Sequence, residues 1–345
     1  MFGLEVTENV TEAATILNDI GNTPLLKLSR VTAGLGVDIY VKCEFTNPGG
    51  SIKDRMALSM IEEAEKRGEL KPGGTIVDQS TGNTGPALAF VGAVKGYKVR
   101  IFLPAQLSGS YDPADRIRIA RLYGCDVTPI DLNEHIENAA QLRGVERAAT
   151  FVAVRMKQCY DLAQSDPSHW WANQLVNIDN TRAHREFTGR EILEQMDGRI
   201  DGWVASVGTG GTLLGVAQTL KESHPDLKVA GVVPADDPRI EWVRSRAVHK
   251  ALERFGGPKL RFIIEDLLEQ EVMDDEITIG NAEAKQMADR LCQEEGLYCG
   301  MSSGANVSAA IEMARTMKKG SRIVTVIVDR RDRYFAEYPN EHYVV

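Results

Sequence analysis

Residues 75 to 95 read TIVDQSTGNTGPALAFVGAVK and combine three kinds of local structure. The β-branched run at the start predicts a short strand, a turn rich in glycine and hydroxyl groups follows, and Pro86 to Lys95 predict a helix. The same succession of strand and helix recurs along the chain. It predicts an α/β fold with mainly parallel sheets and helices on both faces, in which ligands bind at the carboxyl ends of the strands.

The other predicted elements follow this alternation. The predicted strands are Ile39-Val41, Thr75-Val77, Val99-Leu103, Asp126-Pro129, Thr150-Val154, Gly202-Val207, Lys228-Val233 and Ile323-Val328. The predicted helices are Ile52-Arg67, Pro86-Lys95, Pro113-Tyr123, Arg182-Gln195, Leu213-His224, Ala282-Glu295 and Ala305-Lys319. No repeat, low-complexity tract or long linker marks a domain boundary.

The bulk composition limits the classes of function. A chain of 345 residues is long enough for two domains, and its net charge of −9 opposes binding to nucleic acid or anionic lipid. No apolar stretch approaches the length of a membrane span, and Met1 to Asp19 lacks the pattern of a secretory signal. The five cysteines are scattered without metal-ligand spacing. We therefore expect a cytoplasmic protein with reduced thiols and no metal site.

Three turns are rich in glycine and hydroxyl groups: STGNTG at 80–85, GTGGT at 208–212 and GMSSG at 300–304. Each is predicted to present backbone N–H groups at the start of a helix, where an anion is favoured. The second is the best phosphate candidate, because its glycines allow close approach and its threonines can donate hydrogen bonds. For any one such turn, a tight connection that needs glycine for its backbone angles is an equal alternative. Three in one chain favour a binding site.

Lys53 follows a Pro-Gly-Gly turn at 48–50 and lies in the first turn of a predicted helix. An ammonium there faces the positive end of the helix dipole, which favours the neutral amine that condenses with an aldehyde. A solvated surface lysine is the ordinary alternative. The flanking glycine turn favours a functional lysine.

These motifs, in this order, resemble those of the fold-type II pyridoxal phosphate (PLP) enzymes, and within them the cysteine synthase and cystathionine β-synthase family. The resemblance begins at the IGNTPL stretch, 20–25, and runs to about Tyr334. It implies PLP as the cofactor, a homodimer, and two lobes that each contain a mainly parallel sheet flanked by helices. The implied domains are a smaller, mobile, substrate-clamping one at 47–177 and a larger, PLP-binding one at 13–46 and 178–345.

The resemblance also implies a role for each matching residue. Lys53 would hold PLP as a Schiff base and move the proton at the α-carbon of the substrate, Asn83 would bond the ring hydroxyl of PLP, and Ser302 would meet the pyridine nitrogen. The implied phosphate cradle is Gly208, Thr209, Gly210, Gly211 and Thr212. The implied clamp for the substrate carboxylate is Ser80, Thr81, Thr84 and Gln174.

A serine at position 302 bears on the type of reaction. A hydroxyl does not keep the pyridinium protonated as a carboxylate would, so the ring is a weaker electron sink and expulsion of a β-leaving group is favoured. The implied reaction is β-replacement through an aminoacrylate, on an activated serine such as O-acetylserine or O-phosphoserine. For Ser302 taken alone, an N-cap for the following helix is an equal alternative.

Two regions that select substrate in the family differ here. The loop that usually reads Met-Ser-x-Glu-Arg corresponds to 112–116, after an extended stretch at 106–111, and a glycine-rich stretch near the cofactor corresponds to 257–266, where bulky and charged residues stand. Arg116 and Arg261 are the candidates for selecting an anionic donor or nucleophile. For Arg261, a solvated surface loop is the alternative.

The C-terminal motif DRRDRY at 329–334 resembles the DRGDRY of B-type cysteine synthases, with Arg331 in place of glycine. Three rival interpretations stay open: a PLP-dependent β-elimination enzyme such as a serine or threonine dehydratase or a cysteine desulfhydrase, a catalytically silent binding protein, and a nucleotide-dependent oxidoreductase. The intact Lys53 and Asn83 count against the second. The third lacks a GxGxxG motif followed by an acidic residue about 20 positions later.

Overall fold

The computed structural model describes residues 14–105, 112–136, 139–235 and 239–337. Within them, the strands are β1 (Leu25–Lys27), β2 (Asp38–Cys43), β3 (Thr75–Gln79), β4 (Lys98–Pro104), β5 (Asp126–Ile130), β6 (His169–Trp171), β7 (Gly202–Ser206), β8 (Lys228–Pro234), β9 (Asp275–Ile279) and β10 (Arg322–Ile327). The α-helices are α1 (Lys53–Arg67), α2 (Thr84–Lys95), α3 (Ala114–Leu122), α4 (Gly144–Ser165), α5 (Ile178–Ala183), α6 (Gly189–Gln195), α7 (Gly211–Ser223), α8 (Arg239–Arg244), α9 (Ala247–Arg254), α10 (Ile263–Glu269), α11 (Asn281–Glu295) and α12 (Met301–Ala314). A π-helix, His184–Thr188, joins α5 to α6, and the segment Arg331–Glu337 forms 3-10 turns.

The strands form two sheets. The first has the order β1-β2-β10-β7-β8-β9, in which β1 is antiparallel to β2 and all other neighbours are parallel. The second has the order β5-β4-β3-β6 and is parallel throughout. The predicted class is confirmed: the protein is α/β, with two mainly parallel sheets flanked by helices.

Both faces of the larger sheet are buried at its centre, as β10 illustrates. Ile323 and Ile327 pack in a core with α11 and α12, whereas Val324 and Val326 pack in a separate core with α7. Successive side chains of a strand point to opposite faces, so a sheet covered on both sides needs apolar residues at every position. This explains why the strand reads as a continuous β-branched run.

One predicted strand is wrong. The run Thr150-Val154 contains three β-branched residues, but it lies inside α4, the longest helix among the described residues. Ala149, Val152, Ala153 and Met156 of this helix share one core, which is the spacing of a helical face. Burial of that face outweighs the local preference for a strand, because β-propensity depends strongly on context.

Other boundaries shift or were missed. The helix predicted over 182–195 is divided by the π-helix, and the last predicted helix begins at Met301 and ends at Ala314. The strands β1, β6 and β9 were not predicted. All strands of the smaller sheet lie between Thr75 and Trp171, inside the range 47–177. The division into two domains itself stays a prediction.

Among the described helices, none is both long and apolar enough to cross a membrane. In the same ranges, no group of three or more His, Cys, Asp or Glu side chains is arranged to hold a metal ion.

Candidate active site

Lys53 is the first residue of α1 and is half-buried. The turn before it is joined to the carboxyl end of β10: the backbone N–H of Ile52 donates to the carbonyl of Val328 at 2.9 Å, and Ser51 forms a bridge with Asp329. The lysine predicted to hold the cofactor therefore lies at the carboxyl end of the larger sheet. That is where ligands of open α/β sheets bind.

The predicted phosphate loop, 208–212, connects β7 to α7. Gly210 has φ +92°, and α7 begins at Gly211, so the first amides of the helix have no intrahelical carbonyl to bond. The hydroxyl oxygen of Thr209 accepts from the N–H of Gly211 at 3.2 Å and from Nδ2 of Asn180 at 3.0 Å. A Cβ on Gly211 would lie 2.6 Å from Oδ1 of Asn180. Glycine is required there by packing as well as by the access that an anion would need.

His184 is a residue of this site that the sequence analysis missed. It is fully buried in the π-helix, with Nδ1 3.1 Å from Oγ1 of Thr188 and Nε2 3.1 Å from Oγ1 of Thr212 in the phosphate loop. Burial, and then the positive charges of Lys53 and Arg55, hold the pKa of His184 well below its usual value. A neutral imidazole with two hydroxyl partners fixes the rotation of Thr212. A π-helix is often found at a functional site, but no local sequence signal predicts it.

The loop predicted to clamp the substrate carboxylate connects β3 to α2. The hydroxyl oxygen of Ser80 accepts from the N–H groups of Gly82 and Gly85 at 3.2 and 3.3 Å, which orders the turn from within. The carbonyl of Thr81 accepts from Nε of Arg116 at 3.3 Å. The backbone of this loop is thus held on two sides.

Thr84 and Gln174 meet across this loop. Nε2 of Gln174 donates to the carbonyl of Gln79 at 2.9 Å, and Oε1 lies 2.5 Å from Oγ1 of Thr84. A carbonyl only accepts, so the amide must face Gln79 with its nitrogen, and Thr84 must donate to Gln174. The Thr84 hydroxyl hydrogen is thereby used, so the second hydrogen on Nε2 of Gln174 is a better donor for a carboxylate than Thr84.

A buried carboxyl lies behind Gln174. Asp78, at the end of β3, accepts from the backbone N–H groups of Gln79 at 2.8 Å and of Gln174 at 3.2 Å. Burial raises the pKa of Asp78 to about 7. Asp78 lies on β3, which leads into the loop of the predicted carboxylate clamp, and Gln174 follows β6. The contact between Asp78 and Gln174 therefore holds these two parts of the clamp together.

Asn83 and Ser302 lie at the starts of α2 and α12. The Asn83 side chain makes no cap on its own helix and bonds instead to Asp329, Arg333 and Tyr334. Ser302 is half-buried in the first turn of α12, whose N-cap is Gly300, so the alternative of Ser302 as the N-cap is wrong. The third glycine turn therefore lies mostly inside the helix that it was predicted to precede.

The two arginines proposed for substrate selection have different surroundings. Arg116 is buried; it donates to the carbonyls of Arg333 at 3.1 Å and Asp112 at 3.0 Å, and its guanidinium lies 4.5 Å from the ring centre of Tyr334. Arg261 is half-exposed on the surface and forms ion pairs with Asp266 and Glu269. The extended loop at 106–111 lies outside the described residues.

The segment that replaces the family's glycine-rich stretch does approach the site. The N–H of Ile263 donates to the carbonyl of Leu175 at 3.0 Å, next to Gln174. A Cβ on Gly210 would lie 3.4 Å from Cγ2 of Ile263 and 3.5 Å from Ile264. The part of 257–266 that packs against the phosphate loop is thus apolar, and the charged side chain of Arg261 is not in it.

The residues present fit PLP. A lysine at a helix start, an amide-rich phosphate loop in which Gly210 has a positive φ and Gly211 leaves no room for a Cβ, and a hydroxyl in the first turn of α12 lie at the carboxyl ends of the strands. A lysine supplies the amine for an aldehyde, and a helix N-terminus suits a phosphate.

Comparison with known proteins agrees with this arrangement. The family model for pyridoxal-phosphate dependent enzymes matches residues 16–329. A cysteine synthase from Staphylococcus aureus is 36% identical over 318 residues, covering 92% of this chain and 94% of the relative. Two solved structures match at a TM-score of 0.76: a hydrogen sulfide-producing enzyme from Fusobacterium nucleatum, with 31% identity and coverage of 93% and 99% of the two chains, and an O-acetylserine dependent cystathionine beta-synthase from Helicobacter pylori, with 28% identity and coverage of 93% and 97%.

The chain belongs to the family of pyridoxal-phosphate dependent enzymes, and its cofactor is PLP. Within that class it is a relative of cysteine synthase and cystathionine β-synthase, the group that carries out β-replacement on amino acids.

Proposed function

We propose that this enzyme replaces the leaving group on the β-carbon of an activated serine, such as O-acetylserine or O-phosphoserine, with a nucleophile. The observation that carries the proposal is the position of Lys53, at a helix start and joined to the end of β10. PLP, when bound, withdraws electrons from the α-carbon. Lys53 holds the cofactor and moves the α-proton, and loss of the β-leaving group follows.

Each of the other residues has one proposed task. The amides of the phosphate loop and the hydroxyls of Thr209 and Thr212 bind the phosphate of PLP, Asn83 bonds its ring hydroxyl, and Ser302 meets its pyridine nitrogen. The substrate carboxylate is bound by Ser80, Thr81, Thr84 and Gln174. The contact between Thr84 and Gln174 supports this clamp, because it leaves an amide hydrogen of Gln174 for the carboxylate.

The donor and the nucleophile differ among the relatives, so they are proposals for this chain. An anionic donor is supported by Arg116, which is buried directly behind Thr81. Arg261 gives such a donor less support, because two carboxylates already neutralise its exposed guanidinium. We propose that Arg116 determines whether the enzyme prefers O-phosphoserine to O-acetylserine.

A substrate panel tests the proposal. The PLP-loaded enzyme is mixed with O-acetylserine, O-phosphoserine, serine and cysteine, and the visible absorbance is followed before and after sulfide or an amino-acid nucleophile is added. We expect a spectral change with an activated serine that only the nucleophile reverses, with one product per donor consumed. Absence of any spectral change with every donor would contradict the proposal.

The alternative is β-elimination, and one comparison favours it: the similar Fusobacterium nucleatum protein is a hydrogen sulfide-producing enzyme. Water would then take the place of the second nucleophile. Release of a keto acid and ammonia from the same panel, at equal rates with and without an added nucleophile, would identify elimination. We further propose that the protein is cytoplasmic and that it is a homodimer. Sedimentation of the purified protein tests the homodimer.

A further inference from the structure

A buried polar cluster surrounds Asn83. Its members are Asn83, Asp329, Arg333 and Tyr334, here called the Asn83 cluster, and each is less than one-tenth exposed. Asn83 follows β3 of the smaller sheet, and the other three follow β10 of the larger sheet. The cluster therefore joins the carboxyl ends of both sheets through side chains that are about 250 residues apart in the sequence.

The hydrogen bonds determine which way the Asn83 amide points. Nη1 of Arg333 donates to Oδ1 of Asn83 at 2.9 Å, and Nδ2 of Asn83 donates to Oδ2 of Asp329. A guanidinium only donates, so Oδ1 of Asn83 must face Arg333 and Nδ2 must face Asp329, and the reversed amide would place a donor against the guanidinium. One N–H of Asn83 is thereby committed to Asp329, and the direction of the second is set by the planar geometry of the amide.

Tyr334 completes the arrangement. Its hydroxyl donates to the same Oδ2 of Asp329, and its oxygen accepts from Nδ2 of Asn83 at 3.3 Å. Because these two acceptors are bonded to each other, they lie on the same side of Nδ2 and share one N–H of Asn83. The other carboxylate oxygen, Oδ1, has no hydrogen-bond partner among the described residues. It faces Gly300, where a Cβ would lie 2.4 Å from Oδ1 and 2.6 Å from Cε2 of Tyr334. At the start of α12, this carboxyl therefore leaves no room for a side chain on Gly300.

The same residue reaches the turn that presents Lys53. Asp329 bridges Ser51 through the backbone, and the N–H of Arg330 donates to the carbonyl of Gly50 at 3.2 Å. A single position thus contacts the Lys53 turn with its backbone and Asn83 with its side chain. The side chain of Asp329 also lies beside Gly300, at the start of the helix that carries Ser302.

We propose that Asp329 is a positioning residue that orients the Asn83 amide toward the ring of PLP. This inference rests on the proposed role of Asn83. It adds a role for the carboxyl of the C-terminal DRRDRY motif, which the sequence resemblance left without one. Arg333 fixes the oxygen side of the amide, Asp329 fixes the nitrogen side, and the remaining N–H of Asn83 is presented to the ring hydroxyl.

The test measures the affinity of apoenzyme for PLP rather than turnover. PLP is titrated into apoenzyme of Asp329→Ala, Asp329→Asn and Asn83→Ala, and binding is followed by tryptophan fluorescence and by the visible absorbance of the bound cofactor. Asp332→Ala and Asp332→Asn are matched controls, because Asp332 lies in the same segment but pairs with half-exposed Arg330. Thermal unfolding of each apoenzyme is recorded in parallel.

We expect Asp329→Ala to raise the Kd for PLP about tenfold or more and to shift the absorbance of the bound cofactor, because the hydrogen bond that orients the Asn83 amide is lost. Asp329→Asn should restore most of the affinity, since an amide oxygen can still accept from Asn83 and Tyr334. The double variant Asn83→Ala with Asp329→Ala should bind PLP no more weakly than Asn83→Ala alone, because Asp329 acts through Asn83.

Additive losses in the double variant would overturn the inference, as would a lower melting temperature of Asp329→Ala with unchanged PLP affinity and absorbance. If Asp329→Ala does not fold, Tyr334→Phe removes one bond to the carboxylate and should raise the Kd by a smaller factor, whereas an unchanged Kd would count against the inference. If Asn83→Ala alone has no effect on Kd or absorbance, the proposed role of Asn83 fails and the inference fails with it. Failure of the substrate panel would leave these binding results unaffected.

Discussion

The Thr84 and Gln174 pair shows how a role is assigned at the level of single atoms. Both residues are predicted to bind the substrate carboxylate, and both are buried at the same loop. The carbonyl of Gln79 fixes the orientation of the Gln174 amide, and this makes Thr84 a donor to Gln174. We therefore expect Thr84 to act mainly by orienting Gln174, and Gln174 to donate the hydrogen bond to the ligand.

Gln174→Leu should raise the KM for the amino-acid donor about 10- to 100-fold, with a smaller effect on kcat, because it removes a hydrogen bond to a charged group. Thr84→Val should produce part of this effect and Thr84→Ser should produce little. Steady-state kinetics over a range of donor concentrations measures the difference. Gln218→Leu is the control, since Gln218 pairs with Gln270 at the exposed surface. Equal KM values for Gln174→Leu and the control would contradict the assignment.

At the level of elements, the site is assembled where helices begin. The helices α1, α2, α7 and α12 each start beside the carboxyl end of a strand, and each carries at least one predicted contact to the cofactor or substrate. Their close approach depends on glycines. Gly211 faces Asn180 on α5, and Gly304 lies against the backbone of α11, where a Cβ would be 2.0 Å from the carbonyl oxygen of Ala284.

Gly211→Ala should weaken PLP binding at least about tenfold and lower the free energy of unfolding by about 1–3 kcal/mol. The new methyl group would overlap Asn180, and the start of α7 would have to move away from it. PLP titration and urea unfolding of the apoenzyme measure the two effects. Gly280→Ala provides a control at another helix start, because no atom lies within 4 Å of its added Cβ. Wild-type affinity in Gly211→Ala would show that the loop tolerates the shift.

At the scale of the molecule, buried charges join the segment of Lys53 to the larger sheet. Arg55 pairs with Glu44 at 2.7 Å and with Glu191 at 2.7 Å, and Lys42 pairs with Glu191 at 2.6 Å. The two positive charges, on β2 and α1, are thus neutralised by the two negative charges, in the turn after β2 and on α6. Removing one of them would leave a buried charge without its partner, which is strongly destabilising.

Asp54 and Asp78 should each stabilise the folded apoenzyme less as pH rises from about 4 to about 7. Burial raises the pKa of Asp54 and of Asp78 to about 7, well above that of an exposed carboxyl. The folded state then holds more protons than the unfolded state in this window, so their stabilising contribution is complete at low pH and is lost as pH approaches 7. Each group contributes at most about 1.4 kcal/mol per pH unit.

Urea unfolding of the wild type and of Asp78→Asn across this pH range measures the contribution. Relative to the wild type, the unfolding free energy of the variant should decline less, or rise more, with pH, because one carboxyl with a raised pKa is gone. Asp126→Asn, which changes a carboxyl in an exposed pair with Arg100, should leave the slope unchanged. Parallel slopes for Asp78→Asn and the wild type would refute the prediction.

The ordered motifs of the sequence determined the family, the cofactor and the α/β class, because glycine and hydroxyl residues recur where a strand ends and a helix begins. At Gly210 the positive φ itself requires glycine. Local periodicity located most strands and helices. It failed at Thr150-Val154, since α4 buries a face that only its tertiary neighbours define. The proposed substrate and cofactor roles of single residues stay predictions.

Only the tertiary structure decided which side chains meet. Asn83 and Asp329 come from different sheets, His184 reaches Thr212 through a π-helix, and Arg116 is buried while Arg261 is exposed. The physical reason is that hydrogen bonding and burial depend on distance in space. Residues 246 positions apart, as Asn83 and Asp329 are, have no periodic relation that a sequence pattern could reveal.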